Sequence, residues 1–191
     1  MNPGKSEEIL SAAIRLFQEK GYHAASMQDL ADAVGLQKGS LYHYITSKED
    51  LLGQIVTRSL ARYIEELQGI VESDRPARDR LREAVQAHIR IIAENLGMLT
   101  IFLRDSQAAL AAEQKTAEEE GGKRYRLLFE QIIRDGVDSG DFRPLDTKMA
   151  ALTIIGACNW TYRWFDPEGR LDHREISDLV WSFFYEGLKR G

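Results

Sequence analysis

The chain has 191 residues, 43% of them apolar and 29% charged, enough to bury a core in one large or two small domains of an ordinary soluble globular protein. Its one cysteine, Cys158, excludes an internal disulfide, the opening MNPGKSEEIL lacks an apolar stretch of signal-peptide length, and the most apolar run, Met149 to Cys158, is too short to span a bilayer. The expected location is therefore cytoplasmic. Net charge is -5, and residues 1 to 55 carry five Lys or Arg against seven Asp or Glu, so a nucleic-acid reading must rest on local geometry and not on bulk charge.

Helix signals follow one another along the chain without an alternating strand pattern, so the fold class is all-α. The first helix, about Lys5 to Lys20, carries an apolar stripe at Ile9, Leu10, Ala13, Ile14 and Phe17, and Gly21 supplies a left-handed stop. In SMQD, Ser26 caps a second helix and Asp29 stands in its first turn, an acidic variant of the capping box. That helix ends near Val34 at Gly35. A third, about Gln37 to Tyr44, follows a tight Gly35-Leu36 connection, and a fourth starts at Ser47, with Asp50 three residues on, and runs to about Ser73. Helix, short helix, tight turn, short helix is the outline of a helix-turn-helix.

At 100° per residue, the third helix turns Leu41 and Ile45 inward, Gly39 and His43 outward, and Ser40 and Tyr42 to the flanks. A glycine on an outward helical face costs about 1 kcal/mol of helix stability but allows close backbone approach. Ser, His and Tyr are short or rigid hydrogen-bonding groups suited to base edges and phosphates, with Lys38 and Lys48 at either end. The free amides at Ser26 and Ser47 offer phosphate positions without net charge. Tyr42 and Tyr44 are also open to packing against the fourth helix.

Further along, Pro76 starts a helix through Ala84, Ile91 and Ile92, Gly97 interrupts, and a short helix covers about Met98 to Arg104. EEEGGKRY predicts a break at Gly121 and Gly122, after which a helix from Lys123 presents Tyr125, Leu128, Phe129, Ile132 and Ile133 and stops at Gly140. A helix from about Asp146 to Phe165 is apolar nearly all round, and the last carries Ile176, Leu179, Val180, Phe183, Phe184 and Leu188, with Trp181 and Tyr185 off that stripe. One protomer is too small to cover both. CNWTYRWFDPEGRL, residues 158 to 171, sets Trp160 one turn from Trp164 and Asn159 one turn from Arg163. An arginine and an asparagine among aromatics need partners: an internal salt bridge within an aromatic dimer core, or a ligand.

Residues 12 to 52, with their LF…GY…S…LA…GL…GSLYHY…SKEDLL framework, resemble the DNA-binding domain of the TetR family of bacterial transcriptional repressors. The resemblance implies an N-terminal helix-turn-helix domain, residues 1-50, and a helical ligand-binding and dimerisation domain, residues 51-191. It implies base or phosphate contacts from Lys38, Gly39, Ser40, Tyr42 and His43, and phosphate contacts from Ser26, Tyr44 and Lys48. Gln37 departs from the Ser or Thr that usually opens the third helix. Gln caps poorly and can reach an adenine edge, which makes Gln37 a candidate specificity residue. Family members form homodimers through their last two helices, so a palindromic double-stranded operator is expected, with recognition helices roughly 34 to 36 Å apart.

The segment 158 to 171, with GDFRPLD before it, is similar to the TetR branch that controls fatty-acid or steroid degradation and responds to acyl-coenzyme A. That likeness implies an acyl cavity lined by Met98, Leu99, Phe102, Leu103, Tyr125, Phe129 and Trp160. Arg104, Lys123, Arg124, Arg126 and Arg163 are then candidates for the coenzyme phosphates, beside Asn159 and Trp164. Ligand binding would shift the fourth helix and move the heads out of operator register. No cofactor, metal site or catalytic constellation is expected, since the four histidines are scattered and no phosphate loop or nucleophile elbow occurs. Two alternatives remain: a TetR-type repressor answering a small aromatic or drug-like ligand, and a helical protein-interaction module that binds no DNA.

Overall fold

A computed structural model describes residues 3–96 and 112–189, with side chains placed for 4–96 and 119–189. The expected helix at Met98 to Arg104, and with it Met98, Leu99, Phe102, Leu103 and Arg104, lies outside the described residues. Two compact units divide the chain: Met1–Ser59 with Gly97–Glu118, and Leu60–Leu96 with Glu119–Gly191. Among the described residues every regular element is helical, apart from one isolated bridge between Phe142 and Lys189.

In the first unit α1 spans Pro3–Lys20 and ends where Gly21 takes φ 79° and donates its amide to the Phe17 carbonyl at 3.0 Å. The second helix, α2 (Met27–Ala33), has the expected capping box: the Asp29 amide donates to Ser26 Oγ at 3.1 Å and the Ser26 amide to the Asp29 carboxylate at 2.8 Å. Gly35, at φ 63°, makes the turn. Regular helix in α3 covers only Lys38–Leu41, and tighter bonds, Tyr44 to Leu41 at 2.9 Å among them, carry the coil on to Ile45. In α4 (Lys48–Val71) Ser47 Oγ accepts the Asp50 amide at 3.0 Å, while the Asp50 carboxylate reaches back to the Thr46 amide at 2.9 Å. Ile9, Leu10, Ala13, Phe17, Leu30, Leu41, Ile45, Leu51, Leu52 and Ile55 form one core, each large side chain contributing roughly 1.5–3 kcal/mol.

The second unit comprises the far half of α4 with α5 (Ala77–Glu94), α6 (Ala112–Ser139), α7 (Thr147–Trp160) and α8 (His173–Leu188). Leu81, Val85, Ile89, Phe129, Ile132, Ile133, Phe142, Ala151, Ile154 and Cys158 make its core.

Three sequence expectations change here. The helix through EEEGGKRY is unbroken: Gly121 keeps a helical backbone, and its missing side chain lets Leu60 of α4 come so close that a β-carbon would meet it at 2.7 Å. Gly121 marks a close helix approach and not a stop, while Gly122 beside it faces open space. The apolar helix that begins after Asp146 ends at Trp160, where Thr161–Arg163 tightens into a single 3₁₀ turn, with Thr161 Oγ1 donating to the Cys158 carbonyl at 2.7 Å. Finally, the α8 stripe divides. Trp181 and Tyr185 stack at 5.0 Å and pack against the core, whereas Leu179 and Phe183 face outward.

Candidate functional site

The short α3 presents Gln37, Lys38, Gly39, Tyr42 and His43 exposed, with Ser40 and Tyr44 half-buried; Tyr44 packs against the core of the first unit. Nothing lies within 4 Å of where a Gly39 β-carbon would stand, so a partner backbone could approach α3 closely at this point. Gln37 occupies the N-cap position and its side chain makes no cap hydrogen bond, which leaves the carboxamide open to a partner. The Ser26 hydroxyl is engaged with Asp29, whose carboxyl the Lys20 ammonium, at 2.6 Å, and the Ser26 groups hold far below the usual carboxylate range.

Lys48 is tied inward. Its ammonium donates to the carbonyls of Ala25 at 2.6 Å and His23 at 3.4 Å and lies 4.4 Å from the centre of the Tyr22 ring, and partial burial lowers its pKa. It fastens the start of α4 to the connection between α1 and α2. Lys5 does likewise at the turn, donating to the Val34 carbonyl at 2.8 Å. Sequence pattern alone missed both roles, because a lysine bonded to carbonyls has no periodic signature.

In the second unit a polar chain centred on the buried His88 joins three helices. Tyr125 Oη lies 3.1 Å from His88 Nδ1, and His88 Nε2 lies 2.9 Å from Asn159 Oδ1, on α6, α5 and α7 respectively. The Asn159 oxygen only accepts, so Nε2 carries the imidazole proton and the Tyr125 hydroxyl donates to Nδ1. Burial among Tyr125, Phe129 and the core pushes His88 down from its ordinary 6.5 to about 4, against the small upward pull of Asn159, and pushes Tyr125 well above its ordinary value. Sequence reading passed over His88, yet its place in the stripe Ala84, Val85, His88, Ile89, Ile92 was a signal that it faces inward.

His88 gives a pH prediction. The fold binds fewer protons at this histidine than the unfolded chain between about pH 4 and 6.5, so its neutral form contributes stability that is complete above 6.5 and lost as pH falls towards 4. The expected loss is about 3 kcal/mol. Thermal melts between pH 7 and 4.5 should fall more steeply for the wild type than for His88→Gln; parallel curves would refute it.

Around this chain, Phe129 is buried and Tyr125 half-buried, while Trp160 and Trp164 are largely exposed. Arg163 has no carboxylate partner among the described residues; its guanidinium sits 5.7 Å from the Trp160 ring and 6.0 Å from that of Tyr162. The remaining cations differ. Arg126 is paired with Glu130 at 2.7 Å, Arg124 donates to Gln68, and Lys123 is exposed. Cys158 is buried, its thiol pushed up to about 12, so it stays protonated and unreactive. A surface groove beside Glu66, Gln86, Arg90, Arg174 and Asp178 contains none of the ligand residues expected from sequence, and Glu66 with Arg90 and Asp178 with Gln86 are paired within it.

A capped helix-turn-helix head on a long helix that continues into a separate helical unit defines a transcription regulator of the helix-turn-helix class. Residues 9–55 match the model of bacterial regulatory proteins of the tetR family, and residues 74–188 match a tetracyclin repressor-like C-terminal domain; the chain belongs to the TetR family and is a transcriptional regulator, not an enzyme. The HTH-type transcriptional repressor KstR2 of Mycobacterium tuberculosis is 25% identical over 96% of this chain and 92% of its own length. A TetR/AcrR regulator from Thermobifida fusca superposes with a TM-score of 0.87 at 32% identity, covering 98% and 100% of the two chains. AibR, solved in complex with isovaleryl coenzyme A and operator DNA, superposes with a TM-score of 0.74 at 27% identity, covering 95% and 98%.

Proposed function

We propose that this chain is a homodimeric repressor that binds a palindromic operator through α3 and is released by an acyl-coenzyme A thioester bound in its second unit. The exposed Gln37, Lys38, Gly39, Tyr42 and His43 carry the DNA part of this reading, because a bare glycine between hydrogen-bonding groups suits close approach to a groove. DNA binding is assigned to residues 1-50 and effector binding with dimerisation to residues 51-191. Phosphate contacts fall to Ser26, Ser40, Tyr44 and Lys38, and to Lys48 only if DNA draws its ammonium away from the Ala25 carbonyl.

The effector part rests on the likeness to AibR in its coenzyme A complex and on the arrangement of Arg163, an exposed cation without a carboxylate partner among the described residues, beside an exposed indole. Arg163, Lys123, Trp160 and Trp164 are the free candidates for the coenzyme, with Tyr125, Phe129 and Asn159 beside the acyl group. Arg124 and Arg126 would have to leave present partners. Cytoplasmic location accords with this role, and among the described residues no helix is long and apolar enough to cross a membrane.

Selection from a random duplex library tests the reading. Enriched sites should be palindromes with half-sites one helical turn apart, Tyr42→Ala should lose them, and Gln37→Ser should change the preferred base at one symmetric position. Saturating acyl-coenzyme A should weaken operator binding roughly 5- to 150-fold. No enriched site would remove the DNA reading in favour of an interaction module; unchanged affinity across isovaleryl-, octanoyl- and stearoyl-coenzyme A would remove the effector.

A further inference from the structure

Asn159 stands at a chemical junction. On one side are the buried His88 and the half-buried Tyr125, backed by Phe129 and Cys158; on the other are the exposed Trp160 and Arg163, which has no carboxylate partner among the described residues. The carboxamide is committed in one direction only, since Oδ1 accepts from His88 Nε2 at 2.9 Å while Nδ2 has no partner among the described residues. An asparagine side chain ordinarily offers both donors and an acceptor, and free rotation lets it serve either. Here the acceptor is used internally, so what remains on the open side is a pair of N–H donors.

We propose that Asn159 is the effector's carbonyl-binding residue and that neutral His88, itself fixed by Tyr125, is the positioning residue that aims its Nδ2 donors outward. This inference rests on the acyl-coenzyme A reading and deepens it. A thioester is itself a junction: an apolar tail on one side, a phosphorylated carrier on the other, and a single carbonyl oxygen between them. The apolar side of Asn159 suits the tail, Arg163 suits the phosphates, and the free N–H pair suits the oxygen. The direction of the relay decides the ligand atom. Were the carboxamide reversed, Asn159 would present an acceptor and select a hydroxyl or an amine; with Oδ1 held by the histidine it selects a carbonyl.

The test compares each acyl-coenzyme A with its S-alkyl thioether analogue, which keeps tail and carrier and lacks only the carbonyl oxygen. Binding to the full-length protein is measured by titration calorimetry with isovaleryl-, octanoyl- and stearoyl-coenzyme A. The wild type should prefer thioester to thioether by about 10-fold, the net worth of one hydrogen bond. Asn159→Leu should bind both equally, His88→Phe should do the same, and the double variant should show no further loss because the two act as one unit. His88→Gln, which retains an N–H donor, should recover most of the preference. Asn159 is exposed, so Asn159→Leu decides the carbonyl assignment even if His88→Phe does not fold.

A wild type that binds thioester and thioether alike would overturn the carbonyl assignment while leaving the acyl-coenzyme A reading intact. A folded His88→Phe that keeps the full preference would overturn the positioning role. Failure of the wild type to bind any coenzyme A compound would overturn the effector reading and this inference with it, and the absence of all binding sets that outcome apart from the other two.

Discussion

Gly136→Ala should lose about 3 kcal/mol of folding stability, a large effect for one methyl group. A β-carbon at Gly136 would fall under 3.0 Å from the Phe142 ring, which is almost wholly buried. The ring has nowhere to retreat. The Phe142 amide donates to the Gly136 carbonyl at 2.8 Å, its neighbour Arg143 donates to the Leu188 carbonyl at 2.9 Å, and Phe142 bridges Lys189, so moving the side chain pulls on the joint between the ends of α6 and α8. Gly122→Ala is the control, since Gly122 lies in the same helix with nothing within 4 Å of the added atom. It should stabilise by about 0.5–1 kcal/mol through helix propensity alone. Urea midpoints at constant slope separate the two. A Gly136→Ala protein as stable as the wild type would show that the Phe142 ring yields to the added methyl group without cost.

The two glycines also show where sequence reading succeeds. Gly21, Gly35 and Gly140 were legible as stops because each follows an apolar helical run, and all three take positive φ. Gly121 was misread as a stop for want of the one fact that decides it, the approach of Leu60 from a distant part of the chain. Caps at Ser26 and Ser47 are short-range chemistry and could be read directly, as could the exposed side of α3, whose phase is fixed by Leu41 and Ile45. The roles of Lys48 and His88 were not legible, because both depend on partners distant in the chain: Ala25 for the lysine, Tyr125 and Asn159 for the histidine. In α8 the stripe from Ile176 to Leu188 was read as one face, although the buried arc is centred nearer Ser177 and Leu188, which keeps Val180 and Phe184 against the core and leaves Leu179 and Phe183 beyond its edge.

That division leads to the second large effect: Phe183→Asp should convert the dimer to monomer and abolish operator binding. Phe183 is 77% exposed in the single chain, on the outward side of α8 with Leu179 at 47%, while α7 turns out Met149 and Leu152. Soluble chains seldom leave so many large apolar groups uncovered on adjacent helices without a partner surface. Small residues, Gly156 and Ala157, are exposed on α7 as well and would let a second backbone come close. A two-fold axis uses every residue twice, so one substitution removes two ring contacts and buries two carboxylates. At about 2 kcal/mol or more per lost anchor, the dissociation constant should rise by about 10³-fold or more. The protomer itself should fold, because the side chain contributes nothing to its core. Sedimentation equilibrium reads the first consequence, and fluorescence anisotropy on the selected palindrome reads the second, since a monomer can hold only one half-site. Tyr42→Ala provides the contrast: it should remain a dimer and lose DNA. A Phe183→Asp protein that still sediments as a dimer at micromolar concentration would move the interface away from α8.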